Sequence, residues 1–95
     1  MLEALNQNQV AEEMAQLNSL WNNSGAAVIF REFKFDDFKS ALIFVNQIGQ
    51  IAEDQNHHPD IELSYGRVKI CLSTHSVNGL SKNDFIFARK IDETT

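Results

Sequence analysis

The sequence predicts an α+β domain: a four-stranded antiparallel sheet with about three helices packed on one face. Three observations lead there. Ile61–Tyr65 and Val68–Leu72 both alternate apolar and polar residues, and only Gly66 and Arg67 separate them. Strands joined that tightly are antiparallel. A long run at helical spacing, from Phe38 to about Asp54, divides this hairpin from an earlier strand-like region. Shorter helical patterns stand at both ends of the chain. Two hairpins split by a helix favour one antiparallel sheet with the helices gathered on one side. All of residues 1–95 are read as a single domain.

Taken in order, Val10, Met14 and Leu17 are spaced four and three apart, which predicts a short helix from about Asn8 to Leu17. Asn22, Asn23, Ser24 and Gly25 form a turn cluster, and Trp21 is placed to begin the strand before it. Ala27 to Phe35 is rich in β-branched and aromatic residues, with Ile29, Arg31, Phe33 and Phe35 on one parity. Asp36 or Asp37 can cap the next helix. Its expected core face is Phe38, Ala41, Leu42, Val45, Ile48 and Ala52. About 18 residues at 1.5 Å each make a rod of about 27 Å, long enough to cross a sheet. After the hairpin, Ser73, Thr74 and His75 should end its second strand. A loop with Asn78-Gly79 leads to a last helix from Ser81 to about Ile91, with Phe85, Ala88 and Ile91 inward.

Composition removes several function classes. The net charge is −5, and no cluster of Lys or Arg stands against it. Phosphate-backbone binding needs concentrated positive charge, so no direct nucleic-acid partner is expected. The chain opens without a basic region followed by an apolar core, and no apolar run nears the roughly 18 residues of a membrane span. A cytoplasmic protein that does not bind membranes is the expectation. The one cysteine, Cys71, sits in the apolar run VKICL and reads as a small buried hydrophobe.

The stretch that asks for a function is Asn56-His57-His58-Pro59-Asp60. Adjacent histidines point about 100° apart on a helix and to opposite faces of a strand, so neither element packs both rings. Pro59 pushes His58 out of the helical region, which puts the pair on a rigid turn where the long helix stops. The hairpin from Ile61 to Thr74 folds back on itself, so His75 should return beside His58. Glu53, one turn back on the helix, can orient His57. Asp84, three residues after Ser81, fits a variant of the capping box. Neutral imidazoles also suit zinc or copper, but the helical His-x-x-x-His spacing is missing and Cys71 should face elsewhere; no metal is expected.

These residues fall into a pattern with a name. Glu53-Asp-Gln-Asn-His-His-Pro-Asp60, Tyr65, Leu72-Ser-Thr-His-Ser76, Asn78-Gly-Leu-Ser-Lys-Asn-Asp84 and Phe87-Ala-Arg-Lys-Ile-Asp92 follow one another in order. With F-x-F-x-D-F at Phe33 to Phe38, the chain from about Trp21 to Asp92 resembles the pterin-4a-carbinolamine dehydratases. Ser76, Val77 and Asn78 depart from the residues frequent after the Thr-His motif; none of them removes a titrating group. The resemblance implies dehydration of 4a-hydroxytetrahydropterin to quinonoid dihydropterin, without metal or organic cofactor. It implies His57 and His75 as acid and base, and His58 as the residue that binds and orients the pterin. Pro59 and Thr74 to Val77 (Thr74, His75, Ser76 and Val77) would line the ring. Glu53 would hold the His57 tautomer, and Asp84 would support His75 or its loop. It further implies a homodimer or homotetramer. The rival class is a protein-interaction module, since relatives also serve as a dimerisation cofactor or as assembly factors.

Overall fold

The structure, a computed structural model, describes residues 2–95. Its elements are α1 (Gln7–Met14), β1 (Asn22–Ser24), β2 (Val28–Lys34), α2 (Phe38–Gln55), β3 (Asp60–Ser64), β4 (Arg67–Leu72) and α3 (Lys82–Thr94), with a single 3₁₀ turn at His75–Val77. The four strands form one sheet in the order β1-β2-β4-β3, and every pairing is antiparallel. Alternation decides which face is covered. Ile29, Arg31 and Phe33 of β2 and Val68, Ile70 and Leu72 of β4 are buried, while their neighbours along each strand are not. Against that face lie Val10 of α1, Ala41, Phe44, Ile48 and Ala52 of α2, and Phe85, Phe87, Ala88 and Ile91 of α3. The α+β layering is as the sequence predicts.

Helix ends follow local chemistry. Asn6 accepts from the Gln9 amide and the Gln9 side chain answers to Asn6 N–H, so α1 starts at Gln7. It stops at Met14, earlier than expected; Leu17 is still buried, from outside the helix. Asp37 caps α2, and the Ser40 amide that donates to it holds its carboxyl below the usual range. Asn56 terminates α2 in the left-handed region, φ 50°. There the Asn56 amide donates to Glu53 O and the His57 amide reaches back to Ala52 O at 3.1 Å, the paired bonds of a Schellman ending.

Four expectations need correction. Asn22–Ser24 is a short edge strand opposite Val28–Phe30, and the turn lies beyond it, where Gly25 takes φ 54°. Pairing across a hairpin overrides the poor strand propensity of Asn and Ser. In the second hairpin the turn is Tyr65-Gly66, with Arg67 already in β4; a Cβ on Gly66 would stand 2.8 Å from Phe35 O, so only glycine fits. β4 ends at Leu72 and His75 belongs to the 3₁₀ turn, closed by the Thr74–Gly79 bridge. Finally, the buried face of α2 is rotated. Phe38 and Leu42 are 43% and 41% exposed, Val45 is half-buried, and Phe44 takes the core position. Its ring meets Phe33 at 4.7 Å and Phe35 at 5.2 Å between centroids. Aromatic partners on β2 and just past its end draw Phe44 inward, a tertiary preference that helical spacing does not carry.

Phe44→Ala should therefore cost about 3–5 kcal/mol in urea denaturation and Leu42→Ala less than about 1 kcal/mol. The reverse ranking would mean that α2 faces the sheet with the other stripe.

Candidate functional site

The open end of the second hairpin brings the His-His-Pro turn beside the segment that follows β4. Asp60 lies opposite Cys71, so Pro59 and His58 approach on one chain while Leu72 to Thr74 leave on the other. The Schellman ending turns the chain sharply after α2 and sends the two imidazoles to different surroundings. His57 is nearly buried, its side chain 11% exposed, with the Phe87 ring 6.0 Å away. His58 stands outside, its side chain 58% exposed.

Each imidazole Nε2 is held by a different carboxylate. His57 Nε2 bonds Asp84 Oδ1 at 2.6 Å, and His58 Nε2 bonds Glu53 Oε2 at 2.5 Å. Glu53, expected on His57, pairs with His58 instead. The left-handed Asn56 cap is the reason for the difference: it swings His57 under the helix end toward α3 and leaves His58 over the Glu53 turn. Asp84 is fully buried. Its other oxygen, Oδ2, accepts from Thr74 Oγ1–H at 2.8 Å and from the Ser81 amide at 3.0 Å. With Asp84 ionised its oxygens only accept, so the His57 bond then places a proton on Nε2, and in the neutral ring Nδ1 is the acceptor. Asp84 thus does more than cap α3. It ties that helix, the turn after α2 and the segment after β4 to one group.

Thr74 joins His75 to this arrangement. The Thr74 amide donates to Gly79 O at 2.8 Å and Thr74 O accepts from the Val77 amide, which closes a small loop with His75 and Ser76 exposed on it and Val77 half-buried. Asn78, one of the departures noted above, sits at φ 54°, a left-handed position that Asn tolerates almost as well as Gly. Gly79 has its own constraint, since a Cβ there would meet Ala26 O at 3.0 Å. Of the expected support roles, Asp84 serves the loop through Thr74, and its direct partner is His57.

An open cleft of about 470 Å³ runs beside α2 and β3, with Gly49, Gln50, Glu53, His58, Pro59 and Ile61 among its walls. His57, Thr74, His75, Ser76 and Val77 do not line it. A larger cavity of about 660 Å³ lies between β2, α2 and the end of α3, walled by Phe33, Phe35, Ile43 and Phe44, and it contains no histidine. Chemistry outweighs size in choosing between them, because only the former has an imidazole paired to a carboxylate. Cys71 lines neither, and burial pushes its thiol up, away from the thiolate form. Tyr65, part of the sequence pattern, occupies the turn at the far end of the hairpin, 69% exposed.

The sequence reading missed Asp92. Its Oδ1 accepts from Trp21 Nε1–H and from Arg31 Nη1–H, both at 2.8 Å, and anchors the end of α3 to β2. A buried arginine on the inner face of a strand is a signal that some carboxylate must meet it.

Comparison with known proteins gives the family and the fold. The family model described as pterin 4 alpha carbinolamine dehydratase matches residues 3–94. The chain belongs to this family. A protein of Alkaliphilus metalliredigens named for the same dehydratase is 46% identical over 89 residues, which is 94% of this chain and 80% of that protein. Among solved structures, a transcriptional coactivator/pterin dehydratase from Brucella melitensis superposes with TM-score 0.89 at 36% identity, covering 96% of this chain and 97% of the other. A pterin dehydratase-like RuBisCO assembly factor of the alpha-carboxysome gives TM-score 0.66 at 23% identity, over 77% and 86% of the two chains, and shares the fold alone.

Proposed function

We propose that the protein dehydrates 4a-hydroxytetrahydropterin to quinonoid dihydropterin and water, by acid–base catalysis on histidine and without metal or organic cofactor. The observation that carries this reading is the buried His57–Asp84 bond at 2.6 Å, which fixes the tautomer of one imidazole beside a second, carboxylate-paired one. In the reaction a base removes the N5 proton, the N5 electron pair forms the C4a=N5 double bond, and the C4a–O bond breaks. An acid protonates the departing hydroxyl as water. His57 Nδ1 suits the base, since Nε2 is committed to Asp84; His75, on its exposed loop, suits the acid. His58 and Pro59 on the cleft wall, with His58 held by Glu53, bind and orient the pterin; the family resemblance adds the loop residues Ser76 and Val77, which stand outside that cleft. Imidazole titrates near neutral pH and serves in either role.

The setting we infer is the cytoplasm, in tetrahydropterin recycling. We also propose a homodimer or homotetramer. β1 and β3 are both sheet edges, and natural sheets seldom leave such edges bare. Light scattering should return a multiple of the 10.8 kDa chain, and the single-chain mass would contradict this. The interaction-module reading has in its favour that the 36% identical Brucella melitensis protein is named a transcriptional coactivator as well as a pterin dehydratase. It does not require the carboxylate-held histidines.

The test is decay of the ultraviolet absorbance of 4a-hydroxytetrahydropterin, corrected for its spontaneous dehydration. The wild type should accelerate it, and His57→Ala or His75→Ala should each lower kcat by about 10²–10⁴. His58→Ala should raise KM more than it lowers kcat. Near-wild-type kcat in both of the first two variants, folded by circular dichroism, would end the acid–base assignment.

A further inference from the structure

We infer that Thr74 is a positioning residue for His57, acting through Asp84 with Ser81 behind it, and that its hydroxyl does not contact the substrate. The inference rests on the catalytic reading of His57 given above. It comes from accounting for every proton in the network. The Thr74 hydroxyl has one proton, and the acceptor-only carboxylate of Asp84 takes it at 2.8 Å. Thr74 and Ser81 hydroxyls lie 2.7 Å apart, so the proton in that bond comes from Ser81. Ser81 Oγ in turn accepts from the Asn83 amide at 3.3 Å.

The result is a chain of fixed direction: Ser81 O–H to Thr74, Thr74 O–H to Asp84, and His57 Nε2–H to the other oxygen of Asp84. Thr74 is 5% exposed, and Ser81 and Asp84 are fully buried. No hydroxyl proton in the chain is left for a ligand. Two donors, Thr74 O–H and Ser81 N–H, clamp Oδ2, and that clamp aims Oδ1 at His57. Removing one of them leaves the carboxylate free to turn about the remaining bond. Such linked bonds strengthen one another in a dry site, so the loss reaches the imidazole.

Thr74→Val keeps the shape and deletes the proton; Thr74→Ser keeps the proton. We expect Thr74→Val to lower kcat about 10- to 100-fold, as for a lost hydrogen bond to a charged group, with KM within about twofold. Thr74→Ser should recover most of that kcat. In an Asp84→Asn background, Thr74→Val should cost less than about twofold further, because its route to His57 is already cut. Ser81→Ala, one link further out, is the second variant, with a loss of about 3- to 10-fold in kcat. A rise in KM with kcat retained would make Thr74 a substrate contact, and additive losses with Asp84→Asn would place its effect elsewhere; either overturns the inference. A readout without turnover keeps it separate from the function itself. The His57 Nε2–H proton resonance should move or broaden in Thr74→Val and return in Thr74→Ser. An unchanged resonance in Thr74→Val refutes the coupling, whereas a wild type without dehydratase activity refutes the catalytic reading and leaves this resonance to decide the coupling.

Discussion

One buried carboxylate holds together three segments that are distant in sequence. Asp84 caps α3 through the Ser81 amide, grips the segment after β4 through Thr74, and receives His57 from the turn after α2. A carboxylate taken out of water is costly unless its lone pairs are satisfied, and here three donors satisfy them. The same three bonds fix the histidine tautomer, so the requirement that makes Asp84 tolerable in the core also prepares the imidazole. Placement of His57 follows from the Asn56 cap, which without this partner would drive a polar ring against Phe87. The exposed His58–Glu53 pair is different in kind. Solvent screens it, and it adds little to stability.

A second carboxylate does comparable structural work elsewhere. Asp92 joins Trp21, Arg31 and the last turn of α3, so α3 is tied down at both ends: at its N-terminus by the site and near its C-terminus by the sheet. Phe85, Phe87, Ala88 and Ile91 are buried between those anchors. A rigid α3 keeps Asp84 where His57 can meet it.

Much of this was legible in the sequence because it is local. Period-two alternation located β3 and β4, the Asp36-Asp37 pair and helical spacing located α2, and the Ser81–Asp84 spacing marked the start of α3. The His-His-Pro turn after a helix, and its return beside the segment after β4, could be read from chain order. What stayed hidden depends on three-dimensional partners. Helical spacing cannot choose between Leu42 and Phe44, because the stripes overlap and the decision lies with Phe33 and Phe35. Glu53, four residues from His57, looked its natural partner; the left-handed Asn56 reversed the two rings, and only the backbone geometry shows it. Thr74, expected at the end of the second strand, lies beyond β4 and is buried in a hydrogen-bond chain.

The His57–Asp84 bond is the centre of the site, and the tautomer of His57 tests it most directly. Nitrogen-15 chemical shifts of the imidazole ring, followed across a pH series to its neutral limit, distinguish the two forms. The geometry predicts that neutral His57 carries its proton on Nε2, with Nδ1 unprotonated, and that the proton exchanges slowly with water. A ring protonated mainly on Nδ1, or one averaging freely between the two tautomers, would contradict it.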